Sequence, residues 1–474
     1  MNPRLPTVER TVQARFAVLA MLCCQACSTP PLESAVSLPE HFEQGQGAAV
    51  LWPAADWYRT FSSPELNALI ELARQNNLDL AAAQARIRQA DARARAAGAA
   101  ILPQVDAGAN VAGFNGRSHG ASAHETDWSV LLSAAYEVDF WGRNSAAASA
   151  TRYSAVAARS DRDALALTTT AGVANTYFQV LSLRERLSLA QANVRSAREV
   201  LEIIQARFDA GAATAVELAA QRAAVANAEL TIAPLQQQEM ETLGALALLV
   251  GRAPESFVIE ARQLDGLIEP DVAPGLPVDL LTRRPDLAVA EANLQSAHAD
   301  LAAARAALLP ALTLTAGGGV QNPAVQAAVI TLTGTGPAVT VGASLLQSIF
   351  DGGRRRAQRD EAQGREMELL ANYRGAILGA LLDVEAALSA IQHLDSQRSA
   401  QLENVSQSGR AFEGARLRYV AGSGDYLSVL EAQRSLYSAR EQMSQYKLAR
   451  LQASVSLCKA LGGGWAASDG RASR

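Results

Sequence analysis

The sequence predicts a mainly α-helical fold with a small β contribution, arranged as two structural repeats. The first observation is internal similarity, because residues 79–103 have a counterpart at 286–310, 207 positions later. The second is a pair of very long helix-compatible stretches, 144–210 and 354–421, that contain no proline. The third is a pair of segments in each repeat whose apolar residues recur at every second position, which is the period of a β-strand.

The register of the repeat holds along most of the chain. Ala206–Gly211 corresponds to Leu417–Gly422 at an offset of 211, and Leu249–Gly251 corresponds to Leu461–Gly463 at 212. A drift of a few residues over roughly 180 makes chance a poor explanation, and a repeat of long period controls the architecture.

Composition favours long helix–helix contacts over a bulky globular core. Of the 474 residues, 49% are hydrophobic but only 5% are aromatic, so Ala and Leu carry most of the apolar content. Ala-rich helices pack closely and bury little area per residue. The net charge of −5 is mild and argues against a nucleic-acid partner.

No catalytic, metal or cofactor site is predicted. The histidines show no metal-ligand spacing; they are His41, His119, His124, His298 and His393. Gly317-Gly318-Gly319 lies inside strand-like sequence rather than before a helix, so it does not fit a phosphate-binding loop. We therefore expect that the chain is not an enzyme.

The N-terminus predicts export and a lipid anchor. An Arg-containing region precedes the apolar run 16–22, which is too short to span a bilayer and fits a signal peptide. Ala26-Cys27-Ser28 resembles a bacterial lipobox, although Cys24 stands where the motif usually has Leu. We predict a signal peptide at 1–26 and lipidation of Cys27. The alternative is a plain signal peptide with incidental cysteines.

Repeat 1 is placed at 61–251, after a polar, irregular and lipid-anchored extension at 27–60. Its first helix is predicted to begin with Ser63 at the N-cap and Pro64 at the first helical position. Apolar residues keep helical spacing until Pro103, which ends this element.

Strands are predicted after the first helix of each repeat, at about 104–114, 128–140, 311–319 and 338–349. The alternation in 128–140 is longer than the ~9–11 residues that a tilted transmembrane strand needs. Its aromatic residues suit two membrane interfaces; they are Trp128, Tyr136, Phe140 and Trp141. A soluble β-sandwich would also contain such hairpins, but helices this long do not belong to one.

Each repeat is predicted to end in a long helical hairpin with a glycine turn. The helices are placed at about 143–210, 214–250, 354–421 and 425–461. Gly211 and Gly422 interrupt the two hairpins, and Pro234 is expected to kink the second helix.

The second repeat is placed at 278–465. A proline-rich linker at 252–277 separates the repeats, and the polar tail 466–474 is expected to be disordered.

Two strand pairs cannot close a membrane barrel, and lipid does not tolerate open sheet edges. If the strands span a membrane, several chains must share one barrel, with eight strands from two chains or twelve from three. A ring of long helices below such a barrel would enclose a continuous tube.

Short motifs over most of the chain resemble those of one family. Each is weak alone, but their order and spacing are specific. They are Trp57-Tyr58-Arg59-Thr60-Phe61, Asn77-Leu78-Asp79-Leu80, Tyr136–Arg143, Arg283-Arg284-Pro285-Asp286-Leu287, Phe350–Arg354, Asp425-Tyr426-Leu427 and Lys459–Trp465. The chain resembles the TolC-like outer-membrane efflux proteins, in particular the lipoprotein subgroup that works with resistance-nodulation-division (RND) pumps.

The resemblance implies a homotrimer, with a twelve-stranded β-barrel in the outer membrane on a twelve-helix periplasmic α-barrel. The chain ends and the linker would form an equatorial domain. It implies the outer-membrane channel of a tripartite efflux system that exports drugs or small metabolites. The implied partners are a periplasmic adaptor, an inner-membrane RND pump and outer-membrane lipid.

The resemblance also locates the periplasmic tip, where adaptors dock and the entrance constricts. The tip residues are Arg207, Phe208, Asp209 and Gly211 in repeat 1, and Arg416, Arg418, Tyr419, Gly422 and Asp425 in repeat 2. A three-fold axis would gather like residues into rings that narrow a pore. We expect Arg418 or Tyr419 to help hold the entrance closed. The alternative is that the arginines are only solvated cations near helix C-termini.

Two other functions fit the same architecture. A type I secretion conduit would carry polypeptides, and a neighbouring ABC exporter gene in place of an RND pump gene would favour it. A structural coiled-coil surface lipoprotein would have no pore and would not conduct in bilayers. The lipobox and the ending Leu461–Trp465 favour the pump.

Overall fold

The computed structural model describes residues 39, 42, 52–118, 121–270, 277–321 and 338–465. The predicted signal peptide, Cys27 and the tail 466–474 lie outside the described residues. So does most of the predicted N-terminal extension.

The observed elements confirm a mainly helical fold with a small antiparallel sheet. The helices are α1 (Pro64–Asn76), α2 (Leu78–Ala99), α3 (Arg143–Asp209), α4 (Ala215–Leu230), α5 (Ile232–Leu249), α6 (Leu280–Arg283), α7 (Pro285–Ala306), α8 (Arg354–Val420) and α9 (Tyr426–Ala460). The strands are β1 (Gln104–Ser118), β2 (Ala121–Val138), β3 (Ala311–Gln321) and β4 (Ala338–Leu346). Short 3-10 helices lie at Trp57–Phe61, Pro254–Ser256 and Pro277–Asp279.

The long helices α3 and α8 have 67 residues each, about 100 Å at 1.5 Å per residue. In the half nearer the sheet, α3 packs against α2 and α7, and α7 packs against α8. In the other half, α3 packs against α4, α5 and α9, and α9 packs against α8. The shorter helices therefore follow one another along the two long ones, and the wall is a single layer of helices.

Two helix breaks differ from the sequence prediction. The pattern predicted one helix from Pro64 to Pro103, but Asn77 ends α1 and begins α2, where its Oδ1 accepts from the Leu80 amide at 3.0 Å. An Asn side chain competes with the helical backbone for such bonds. The break before α5 falls at Thr231, not at Pro234, because a proline near a helix N-terminus removes no intrahelical bond.

An aspartate ahead of each long helix caps its first turn. Asp139 accepts from the amides of Asn144 and Ser145 at 2.9 and 2.8 Å. Asp351 accepts from the amides of Gly353 and Arg355 at 3.0 and 3.2 Å. Burial opposes ionisation of Asp139, but these bonds prevail and lower its pKa. The strand-to-helix corner of each repeat is thus held by a carboxylate on free helical amides.

The four strands form one antiparallel sheet in the order β1-β2-β3-β4. Strand β2 pairs with β1 along 15 positions from Gln104↔Ala135 to Ser118↔Ala121. The polar segment between the two predicted strands, 115–127, is therefore mostly strand. Its Gly, Ser and Asn residues hide the alternation, while the backbone ladder continues regardless of side chain. Strand β2 ends at Val138, two residues before the predicted end.

The register gathers the apolar residues of all four strands on one face. Leu132 of β2 lies opposite Ala107 of β1 and Gly318 of β3, and Leu314 of β3 lies opposite Ala343 of β4. The other face carries mainly Ser, Thr, Gly, Asn and acidic residues. A one-residue slip would exchange the faces, so the pattern fixes the register.

The largest core lies at mid-height, where the 3-10 helix Trp57–Phe61 and the linker pack on α1, α3, α5 and α9. Phe61 and Phe178 are fully buried there, with ring centroids 5.0 Å apart. Each such side chain stabilises the fold by about 1.5–3 kcal/mol. This core attaches the chain start and the linker to the helical wall.

Polar contacts also hold the linker on the wall. Arg184 of α3 donates to the carbonyls of Ile259 and Ala261 at 2.9 and 2.6 Å. Lys447 of α9 donates to Asp265 of the linker at 2.7 Å. The linker therefore crosses several helices as a fixed strap.

Candidate periplasmic tip and membrane sheet

The two helical hairpins turn in the same way at the end far from the sheet. Gly211 and Gly422 have φ of 74° and 75°, the left-handed region that favours glycine. The amide of Ala212 donates to the Arg207 carbonyl at 2.7 Å, and that of Ser423 donates to the Arg418 carbonyl at 3.0 Å. This is the glycine C-cap that ends many helices, and it explains why the two turns share the same motif.

The two turns contact each other through Arg207 and Tyr419. Nη1 of Arg207 donates to the Tyr419 carbonyl at 2.6 Å, and the guanidinium carbon lies 4.6 Å from the centre of the Tyr419 ring. A guanidinium over an aromatic face within about 6 Å is attracted by the ring quadrupole. Repeat 1 is therefore joined to repeat 2 at the tip.

Tyr419 lies in the core of the tip. It is 4% exposed and packs on the ring of Tyr426, with centroids 6.2 Å apart. The Tyr426 hydroxyl donates to Oε1 of Gln221 at 2.9 Å, and the fully buried Gln221 donates to the Ala197 carbonyl at 2.8 Å. Burial raises the pKa of Tyr426 to about 12 and also raises that of Tyr419. Both phenols are therefore neutral at any physiological pH.

The remaining tip residues cap a helix, bind a neighbour on the same helix, or are exposed. Asp425 accepts from the Ser428 amide at 2.8 Å and caps α9, and Asp209 accepts from Gln205 at 2.9 Å. Arg416 pairs with Glu413 at 2.8 Å, which raises the pKa of Arg416. Phe208 is 38% exposed.

Arg418 differs from Arg207 although the two correspond in the repeat. Its side chain is exposed and forms no ion pair within the part of the chain that the structure describes. The two residues expected to close the entrance therefore have separate positions, with Tyr419 inside the tip and Arg418 at its surface.

Sequence reasoning missed Gln221 and Tyr426. A polar residue at a helix position that the apolar spacing assigns to the core was the available signal for Gln221. Only the folded chain shows that Tyr426 is its partner.

The aromatic residues predicted at the membrane interface lie on or beside β2. Trp128 is 46% exposed and Phe140 is 73% exposed, while Tyr136 faces Leu314 of β3. Nε1 of Trp141 donates to the Pro310 carbonyl at 2.8 Å, which joins the end of β2 to the start of β3. Phe140 and Trp141 follow the strand rather than belong to it.

Comparison with known proteins agrees with this arrangement. A model of the outer membrane efflux protein family matches residues 69–252 and again 276–463, so each repeat matches by itself. The chain belongs to the outer membrane efflux protein family. The resemblance to TolC-like efflux proteins is thereby confirmed, and with it a family of channels rather than enzymes.

Relatives of this outer membrane efflux protein align over nearly their whole length. The pyoverdine export outer membrane protein OpmQ of Pseudomonas aeruginosa is 42% identical over 460 residues, 94% of this chain and 96% of the relative. The cation efflux system protein CusC of Escherichia coli is 28% identical over 455 residues, 94% of this chain and 97% of CusC.

Solved structures agree with the fold of this efflux protein. The outer-membrane channel OprN superposes with a TM-score of 0.85 at 25% identity, covering 93% of this chain and 99% of OprN. CusC superposes with a TM-score of 0.79 at 27% identity, covering 92% of this chain and 99% of CusC. The fold class, the outer-membrane location and the role as the channel component of an efflux system are confirmed.

Among the residues that the structure describes, no group of three or more His, Cys, Asp or Glu could hold a metal ion.

Proposed function

We propose that three copies of this chain form one continuous export tube, with a twelve-stranded β-barrel on a helical barrel. The observation that carries the proposal is the four-stranded sheet. Its apolar residues share one face, and in the described part of the chain β1 and β4 each pair on one side only. Lipid cannot satisfy open backbone edges, so β4 of one copy pairs with β1 of the next.

The helical part supports the same assembly. Leu378, Leu382 and Leu402 of α8 are 56%, 68% and 50% exposed in the single chain. The layer of helices in one chain has α8 at one side and α2, α4 and α5 at the other. In a ring, α8 therefore packs against α2, α4 and α5 of the next copy. Apolar stripes on long helices require partners.

The partners follow from the two ends of the tube. Diacylation of Cys27 anchors the chain start to the outer membrane. The glycine turns at Gly211 and Gly422 dock a periplasmic adaptor, which connects the tube to an inner-membrane pump of the RND class.

We propose that the cargo is a secreted metabolite of the pyoverdine type. Two relatives at 42% identity are named for pyoverdine export. Relatives named for cation or toluene efflux are only 28–29% identical.

Replacement of OpmQ by this chain in Pseudomonas aeruginosa tests the cargo. We expect pyoverdine to return to the culture medium, compared with a strain that carries an empty vector. If the chain reaches the outer membrane and pyoverdine stays in the cells, the cargo proposal is wrong. Conductance of the purified trimer in planar bilayers tests the tube by itself, and a non-conducting trimer would contradict it.

A further inference from the structure

In both repeats, the end of the last helix, α5 or α9, contacts the residue at the N-cap of the helix that leads into the strands, α2 or α7. In repeat 1, Nδ2 of Asn77 donates to the Leu249 carbonyl at 2.9 Å. In repeat 2, Nη1 of Arg284 donates to the Ala460 carbonyl at 3.0 Å. Asn77 and Arg284 are 207 positions apart, the offset of this part of the repeat, and Leu249 and Ala460 are the last residues of α5 and α9. We call these contacts junction 1 and junction 2.

Charge distinguishes the two junctions. At junction 2, Arg284 is only 8% exposed and pairs with Asp286 at 2.7 Å and Asp383 at 2.9 Å. The residues at junction 1 that correspond to Arg284 and Asp383 are Asn77 and Gly172. Because two carboxylates share one buried cation, one negative charge in this group of three side chains is not balanced by Arg284.

Junction 2 opens into a cavity of about 390 Å³ between α3, α7, α8 and α9. Asp286 and Asp383 line it, with side chains 49% and 58% exposed, and the exposed Lys459 lines it from α9. Lys459 is the last residue but one of α9, and Leu248 has that position in α5, so this cation is also absent from junction 1. The cavity therefore offers both signs of charge to a solute.

The position of the linker shows which side of the wall the cavity faces. Lys447 and Arg450 of α9 pair with Asp265 and Glu269 of the linker at 2.7 and 3.7 Å. At 3.6 residues per turn, Lys459 lies on the opposite face of α9 from these two. A linker on the inner face would cross the bore of the tube, so the linker lies on the outer face. Lys459 points away from the linker, so the cavity that it lines is on the lumenal face.

We propose that Asp286, Asp383 and Lys459 determine the charge selectivity of the tube at mid-height. The inference rests on the proposed trimer, in which three junctions with Asp383 and Lys459 alternate around the bore with three that have Gly172 and Leu248 in their place. The aspartates receive a cationic group of a passing solute and Lys459 receives an anionic one. These three side chains thus favour zwitterionic solutes with an amine and an acid group. Arg284 keeps the pKa of Asp286 below its usual range against the effect of burial, so this carboxylate is charged in the periplasm.

Reversal potentials of the trimer in planar bilayers under a potassium chloride gradient test the inference. The double variant Asp286→Asn with Asp383→Asn should lower the cation-to-anion permeability ratio about twofold, the size expected of unit charges across a water-filled bore. Lys459→Gln should raise the ratio by a similar factor. Asp79→Asn is the matched control, since Asp79 corresponds to Asp286 in repeat 1 and is exposed.

Asparagine can still accept from Arg284, and light scattering checks that each variant is a trimer. If the double variant does not assemble, the opposite shift of Lys459→Gln decides, because the Lys459 side chain forms no hydrogen bond or ion pair with the residues that the structure describes. Reversal potentials equal to that of Asp79→Asn in all variants would overturn the inference. A wild-type trimer without conductance would overturn the proposed tube instead.

Discussion

Arg207 at the end of α3 donates a 2.6 Å hydrogen bond to the carbonyl of Tyr419 at the end of α8, and its guanidinium covers the Tyr419 ring. The two residues are 212 positions apart. The turn of repeat 1 therefore holds the turn of repeat 2, and the two hairpins of one chain cannot separate at the tip without breaking this contact.

Replacement of Arg207 by Ala should loosen the tip. The loss of the ring contact and the hydrogen bond should lower the free energy of local opening by about 2–3 kcal/mol. Amide hydrogen exchange at the end of α8 measures this opening. The variant Arg207→Lys should retain part of the stabilisation that Arg207 gives the tip. Equal exchange rates in the wild type and the Ala variant would show that the contact does not hold the tip.

Arg418 and Tyr419 should respond differently to substitution. Arg418 is exposed, so Arg418→Ala should raise single-channel conductance with little change in stability. Tyr419→Ala should lower the thermal unfolding midpoint, because a buried aromatic replaced by Ala costs about 3–5 kcal/mol. If conductance is unchanged by Arg418→Ala, Arg418 does not narrow the entrance.

Two glycines with positive φ should differ sharply in their tolerance of Ala. Gly462, with φ of 85°, lies against the Arg283 carbonyl, and an added Cβ would collide with this backbone atom. Gly422 has φ of 75° but open space around it. Gly422→Ala should cost about 1 kcal/mol from backbone strain alone, whereas Gly462→Ala should prevent stable assembly. Thermal unfolding and trimer recovery after purification compare the two variants.

The thiol of Cys458 should not react in the native protein. Burial raises its pKa to about 12, so almost no thiolate is present at pH 8. If Cys27 is lipidated after cleavage at residue 26, titration with a thiol reagent should find no reactive thiol in the folded chain and one after unfolding. A second thiol after unfolding would show that Cys27 carries a free thiol.

Acid should destabilise the wild type more than an Asp286→Asn variant. Burial opposes ionisation of Asp286, but Arg284 prevails and holds its pKa below the ordinary 3.8. The unfolded chain therefore takes up this proton first as the pH falls, and the stability that the pair contributes above about pH 4 is lost below it. The thermal unfolding midpoints at pH 7 and pH 3.5 should differ less in Asp286→Asn than in the wild type. An equal difference in both proteins would contradict this.

The sequence was sufficient for the features that depend on periodicity. The offset between Asp79 and Asp286 predicts the two repeats, and the alternation from Trp128 to Val138 predicts the apolar face of β2. Both are local patterns, and the packing of each element follows from them.

Features that depend on individual side-chain bonds were not predictable in this way. At the helix breaks, Asn77 accepts from the Leu80 amide and the Thr231 hydroxyl donates to the Ala228 carbonyl, and no apolar period reveals these contacts. The contact between Arg207 and Tyr419 arises only when two distant turns meet. The sequence therefore does not show that Tyr419 packs inside the tip.

The edges of β1 and β4, which have no partner among the strands that the structure describes, also affect the order of assembly. The helices of one chain pack on each other and can fold before any partner arrives. The sheet cannot enter lipid alone, because its two edges would carry a row of unsatisfied backbone groups across the hydrocarbon layer. Membrane entry therefore requires chains to meet first, and its rate should rise more steeply than linearly with chain concentration. A lipid anchor would confine the chains to the membrane surface and so raise the frequency of these encounters.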